Sequence, residues 1–134
     1  MSYKHFLFMS TINSFRDLIV CQKVYKLAME IFEISKDFPK EEKYSLIDQI
    51  RRSSRSIATN IAEAWAKKQY IKSFVSKLTG SLAEEYETEV WVDFSRDCQY
   101  ISDEEHKKLL GEYSEVRKIL ISMITYPGKF FRNS

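Results

Sequence analysis

Residues 49–68 read QIRRSSRSIATNIAEAWAKK and carry five cations, three of them crowded into RRSSR as Arg51, Arg52 and Arg55. Arginines at this spacing on a helix have two ordinary uses. They grip phosphates, or they pair with carboxylates, because the planar guanidinium suits bidentate contact with either. A second basic group follows: Lys67, Lys68, Lys72 and Lys77, with only Glu63 opposing them locally. Lysines in such a cluster attract a nucleic-acid backbone regardless of its sequence. Tyr70, in their midst, is placed to stack on a base. The competing reading is a solvated lysine-rich turn. These eight residues are the nucleic-acid-binding candidates.

Other chemistry finds less support. The histidines are His5 and His106. Asp103-x-x-His106 would put two metal ligands on one helix face. A di-iron bundle, however, needs such a pair from each of two helices, and an acid in a first turn simply favours the helix dipole. No metal site is predicted. Cys21 and Cys98 form no CxxC and have no nearby histidine, so both read as packing residues in a reduced, cytoplasmic setting. Three glycines cannot build a phosphate-cradling loop. Glu85 and Glu89 fall near an apolar stripe, where a perturbed carboxylate is conceivable. A salt bridge to Arg51 or Arg55 is the simpler expectation. No catalytic residue and no cofactor are predicted, and the chain reads as a non-enzyme.

The elements that must position these residues are helical. The 134 residues suffice for one domain with a real core. Only three glycines and two prolines interrupt them, which favours long helices. The net charge of +2 is mild for a nucleic-acid-binding domain. Residues 1–12 read as an appendage or docking segment; the apolar run Phe6–Met9 is too short to span a membrane and lacks a signal-peptide layout.

From Asn13 to Phe38, Val20, Val24, Leu27, Ile31, Ile34 and Phe38 recur at helical spacing. Asn13 or Ser14 serves as N-cap and Pro39 as the stop. A second stripe, Leu18, Tyr25, Met29 and Phe32, widens the apolar face beyond what one side of a bundle needs. A second helix runs from about Lys43 to Lys67 on Leu46, Ile50, Ser54, Ile57, Ile61 and Trp65. A third runs from about Ile71 to Asp97, and its end, VWVDF, is apolar nearly all round. The fourth opens with the capping box Ser102-x-x-Glu105 and stops at Pro127-Gly128.

The prediction is an all-α, antiparallel up-down-up-down four-helix bundle over 13–126, with 127–134 as a tail. Leu18, Tyr25, Met29 and Phe32, together with Val90, Trp91 and Phe94, are the candidates for an oligomer interface. A bent helix, or a groove for the N-terminal segment, would also account for the surplus. Antiparallel pairing sets the arginines level with Glu84, Glu85, Glu87 and Glu89. Glutamates are therefore expected to hold RRSSR, with Asp48 to Arg52 a further i,i+4 pair, and the lysines are left as the freer hands.

The stretch FRDLIVCQKVYKLAMEIFEISKDFPKEEKYSLIDQIRRSSRSIATNIAEA closely resembles the proteins encoded by intervening sequences within 23S rRNA genes, with QIRR…SI…NIAE the specific part. The resemblance continues through ETEVWVDFSRDCQYIS and covers about 120 residues. It implies a cytosolic four-helix bundle assembled as a ring, typically a homopentamer, filed with ribosomal proteins because of gene location. A distant relative, the accessory protein of diversity-generating retroelements, forms a similar pentamer and works with a reverse transcriptase and nucleic acid. Cys21 stands where the family often has Trp, Ala58 where it often has Pro, and Ala64 where it often has Gly. The second helix is thus expected to lack a family kink.

The functional expectation is a homo-oligomer that binds RNA or a ribonucleoprotein through basic surface. The alternative is a scaffold that docks a partner protein, with nucleic acid incidental. Neither involves a membrane.

Overall fold

The computed structural model describes residues 12–128. Four α-helices follow in order: α1 (Ile19–Ser35), α2 (Leu46–Ala66), α3 (Ile71–Asp97) and α4 (Asp103–Thr125). Short 3-10 turns occupy Phe15–Asp17 and Lys40–Glu42. No strand occurs among the described residues. The expectations for Phe6–Met9 and for residues after Gly128 lie outside them.

The first helix differs from its prediction at both ends. Ser14 caps the 3-10 turn, its hydroxyl accepting from the Arg16 amide at 3.2 Å. Leu18 is then extended, with φ −67° and ψ 128°, before α1 begins. That break resets the helical phase on which its place in the outer stripe depended. Leu18 is buried in the core, so it is not an oligomer-interface residue. At the other end α1 stops at Ser35, before Pro39 is reached. The Ser35 hydroxyl donates to the Phe32 carbonyl at 3.0 Å. The Asp37 and Phe38 amides bond back three residues, at 3.2 Å each, which tightens the exit into 3-10 form.

The second helix starts at Leu46, three residues later than predicted. The Glu42 carboxylate organises this entry. It accepts from the Ser45 hydroxyl at 2.5 Å, the Leu46 amide at 3.4 Å and the Tyr100 hydroxyl at 2.9 Å. Those bonds, Ser45 first, hold its pKa below the ordinary carboxylate value. The third helix has the predicted bounds. It ends in a Schellman motif: the Tyr100 amide reaches the Ser95 carbonyl and the Gln99 amide the Arg96 carbonyl, both at 2.8 Å. Gln99 holds the left-handed position with φ 66°. The predicted capping box opens α4, with both reciprocal bonds at 3.0 Å.

Hydrogen bonds fix the helix directions. Ser53 Oγ lies 2.8 Å from Thr88 Oγ1, and Ser81 donates to the Ile57 carbonyl at 2.9 Å. Glu63 meets Lys77 at 2.7 Å. The partner number falls along α3 as it rises along α2, so the pair is antiparallel. Glu89–Arg117 and Asp93–His106 establish the same for α3 and α4. Each helix packs on two neighbours, leaving α1 and α3 at opposite corners.

The core between them holds Val24, Ile31, Ile57, Phe74, Leu78, Val92, Val116 and Leu120. Burial of each larger side chain contributes about 1.5–3 kcal/mol. The α2–α3 seam is lined instead by small hydroxyl residues, Ser53, Ser81 and Thr88, all buried. Gly80 leaves room there for the Asn60 side chain: a Cβ on Gly80 would lie 3.2 Å from Asn60 Oδ1.

Candidate nucleic-acid interface

The basic turn joins α2 to α3. Lys67 is the C-cap of α2, and Tyr70, extended at φ −118°, is the N-cap of α3 with no side-chain hydrogen bond to the helix. The first amides of α3 therefore lack a side-chain cap. Beside them Lys67, Lys72, Ser73, Ser76 and Lys77 line an open hollow of about 220 Å³. Among the described residues, Lys67 and Lys72 form no ion pair.

The other two lysines are engaged. Lys77 Nζ lies 2.7 Å from Glu63 Oε2, and that contact holds the Glu63 pKa low. Lys68 Nζ sits 4.0 Å from the centroid of the Trp65 ring, a cation–π contact. Tyr70 is exposed, with its ring available for stacking. Two ammonium groups without an ion pair among the described residues, with Ser73 and Ser76 beside them in one hollow, suit a phosphate.

The arginines divide. Arg52 meets the predicted acidic cluster: Nη1 donates to Glu84 at 3.0 Å and Nη2 to Glu87. Its Nε faces Gln49 at 3.3 Å in place of the expected Asp48. Arg51 and Arg55 do not reach the glutamates. They lie on the α1 side of α2, where Arg51 Nε donates to Ser35 Oγ at 2.8 Å and Nη2 to the Phe32 carbonyl at 3.4 Å. Both guanidinium groups cover the Phe32 ring, at 4.7 Å and 5.8 Å from its centroid. A rotation of 100° per residue sends Arg52 one way and its neighbours the other.

Glu85 is likewise not salt-bridged to Arg51 or Arg55. It is fully buried, and neither carboxylate oxygen has a hydrogen-bond partner among the described residues. The Tyr113 hydroxyl on α4 is also buried and unpartnered. Burial above all, then the neighbouring Glu89 carboxylate, raises the Glu85 pKa. Burial raises Tyr113 too. Glu89 is itself held by Arg117 at 2.5 Å.

His106 turns away from any metal role with Asp103. Its Nε2 donates to Asp93 Oδ1 at 2.8 Å, and Nδ1 lies 3.3 Å from Arg96 Nη1. Among the described residues, no three His, Cys, Asp or Glu side chains are grouped to hold a metal ion. The sequence reading missed this contact because its partners lie on different helices. The signal available was Asp93 within the nearly all-apolar VWVDF.

Of the remaining interface candidates, Tyr25, Met29, Val90 and Phe94 are exposed. Phe32 is half-buried beneath the arginines. Trp91 is half-buried, its indole N–H donating to Glu87 at 3.3 Å and its ring tilted on Phe94 at 5.8 Å. Tyr86, not among the candidates, is also exposed and extends the Val90–Phe94 ridge by one turn.

A family model, the 23S rRNA-intervening sequence protein, matches residues 16–122. The chain belongs to this family. One solved structure that it resembles is a protein of unknown function from the S23 ribosomal protein family of Bacteroides thetaiotaomicron. The two are 33% identical, with a TM-score of 0.73 over 82% of this chain and 98% of that one. No curated protein matches the chain. No helix among the described residues is long and apolar enough to cross a membrane. The family match thus takes in α1, α2, α3 and most of α4, and brings no named enzyme with it.

Proposed function

We propose that this family member is a non-enzymatic, cytoplasmic homo-oligomer that binds RNA, alone or in a ribonucleoprotein, by its phosphate backbone. The observation that carries this reading is the hollow at the α2–α3 turn. Lys67 and Lys72 are unpaired there among the described residues, hydroxyls of Ser73 and Ser76 line it, and α3 begins without a side-chain cap. Tyr70 supplies an exposed ring for a base. Repetition of the hollow around a ring would multiply weak contacts into useful affinity. The pentameric number rests on the family resemblance. Arg51, Arg52 and Arg55 recede from the RNA-binding set, because each already has a partner within the bundle.

The test is binding of a labelled single-stranded RNA, read by anisotropy across a salt series. Wild-type affinity is expected to fall steeply with salt. Lys67→Glu/Lys72→Glu is expected to abolish most of the affinity while leaving the helical signal intact. Affinity unchanged in that double variant would overturn the reading.

A second reading is favoured by the exposed ridge of Tyr86, Val90 and Phe94. In it the oligomer docks a partner protein and nucleic acid is incidental. Apolar docking survives high salt, whereas phosphate contact does not.

A further inference from the structure

Glu63 is the single acidic residue between Asp48 and Glu84, a stretch that carries three arginines and four lysines. The fold brings that one carboxylate to the basic turn. Glu63 stands near the end of α2, and its Oε2 lies 2.7 Å from Lys77 Nζ across the seam to α3. Lys77 is also a wall of the hollow, together with Lys67, Lys72, Ser73 and Ser76. After its contact with Lys77, Glu63 feels the charge of Lys67 as well. These cations hold the carboxyl below its ordinary value, so it is ionised at neutral pH. The next carboxylates along α3, Glu84 and Glu87, are held by Arg52, about two turns beyond Lys77. A protein carboxylate is therefore already in place on the third ammonium group of the hollow.

We propose that Glu63 is a built-in competitor of the RNA phosphate: its carboxylate holds the Lys77 ammonium, and a phosphate that displaces it gains Lys77 as a third ligand beside Lys67 and Lys72. This rests on the RNA-binding reading above and names the residue that sets the strength of that site. The geometry makes the exchange accessible. The Lys77 and Glu63 side chains keep 38% and 54% of their surface exposed, so the pair between them is weak. Lysine carries its ammonium on a flexible four-carbon stem and can serve either partner from one backbone position. Ser73, Ser76 and Lys77 are three and four residues apart, so they share a face of α3, and Lys72 neighbours Ser76 at i,i+4. A phosphate seated among these side chains therefore lies beside Lys77. Glu63 reaches the same ammonium from α2, and only its side chain must swing aside. A carboxylate and a phosphate crowded against one ammonium repel each other, so the two exchange rather than coexist. A small anion meets that opposition with one contact, whereas an RNA strand offsets it with several.

The test measures binding of a labelled oligouridylate to the full chain by anisotropy, across a salt series. Glu63→Gln is expected to tighten binding about two- to fivefold at low salt, the range that an exposed ion pair supplies. Adding Lys77→Ala to it is expected to abolish that gain. It should also flatten the slope of log affinity against log salt by about 0.7 for each hollow engaged, one phosphate contact on a single strand. Glu104→Gln removes the same charge in the first turn of α4, at the far end of α3, and should leave affinity unchanged. A merely structural clasp between α2 and α3 would lower the Tm of Glu63→Gln and leave its RNA affinity untouched. Binding by Glu63→Gln no tighter than wild type overturns the proposal, as does a gain that survives Lys77→Ala or that Glu104→Gln reproduces. The RNA-binding reading is judged separately. It stands if Lys67→Glu/Lys72→Glu loses affinity while Glu63→Gln gains none, and both fall if that double variant binds as wild type does. Should Glu63→Gln fail to fold, the side-chain carboxyl carbon resonance of wild-type Glu63 is to be followed by NMR as oligouridylate is added. A shift on saturation supports displacement of Glu63 from Lys77, and an unmoved resonance overturns it.

Discussion

His106 in the first turn of α4 donates from Nε2 to Asp93 Oδ1 on α3 at 2.8 Å, while Arg96 approaches its other ring nitrogen. The contact ties the two helices just beyond the Schellman exit and the capping box. Replacing His106 by Ala removes this link and leaves the Arg96 donor without its partner. Stability is expected to fall by about 1–2 kcal/mol. Asp93→Asn should lower it less, because the carboxylate is half exposed. Urea denaturation of the two variants ranks them.

Glu85 makes stability depend on pH in an unusual direction. Its pKa is raised from 4.5 to about 9 by burial and by Glu89, with Arg117 opposing the rise. The folded chain thus keeps a proton that the unfolded chain releases. Its contribution is complete below pH 4.5 and declines as pH rises towards about 9. The decline has a limiting slope on the order of 1.4 kcal/mol per pH unit. Thermal melts from pH 6 to pH 9 are expected to show a falling Tm in the wild type and a flatter profile in Glu85→Gln. Parallel profiles would remove Glu85 as the cause.

Gln99 occupies a left-handed conformation in which a side chain crowds its own backbone. Glycine avoids this but loses more entropy on folding. For Gln99→Gly we expect a net gain of about 0.5–1 kcal/mol, with no change of structure. The midpoint of chemical denaturation measures it.

Arg52 and Lys67 should separate in their effects. Arg52→Ala loses partly exposed ion pairs to Glu84 and Glu87, worth about 0.5–1 kcal/mol of stability. RNA affinity should be unaltered. Lys67→Ala should leave stability within about 0.5 kcal/mol and weaken RNA binding. Paired melting and anisotropy measurements on both variants would show whether the partition holds.

The helices were legible because their signals are local. The spacing of Phe74, Leu78, Ser81 and Val92 marks α3, and Ser102-x-x-Glu105 marks the start of α4 to the residue. The ends of α1 were not, because they depend on a 3-10 turn and on extended Leu18, and neither leaves a periodic trace. The acidic cluster was correctly matched to Arg52. The same argument failed for Arg51 and Arg55, since level along the bundle was used without angle around the helix. Phe32 shows the consequence: read as interface surface, it is the platform those two arginines cover. Glu85 sat in the core register all along, at the position after Leu78 and Ser81, but its charge argued for a surface partner that the fold does not supply.

Only residues 67–70 separate α2 from α3, and the seam between these helices is closed by Ser53 with Thr88 and Ser81 with Ile57. Contacts so near in sequence require little loop closure before they form. This hairpin should assemble early in folding, ahead of the α1–α4 contact, which joins residues as distant as Lys23 and Glu115. Substitutions at Thr88 would then slow refolding, while substitutions at Lys23 would chiefly hasten unfolding.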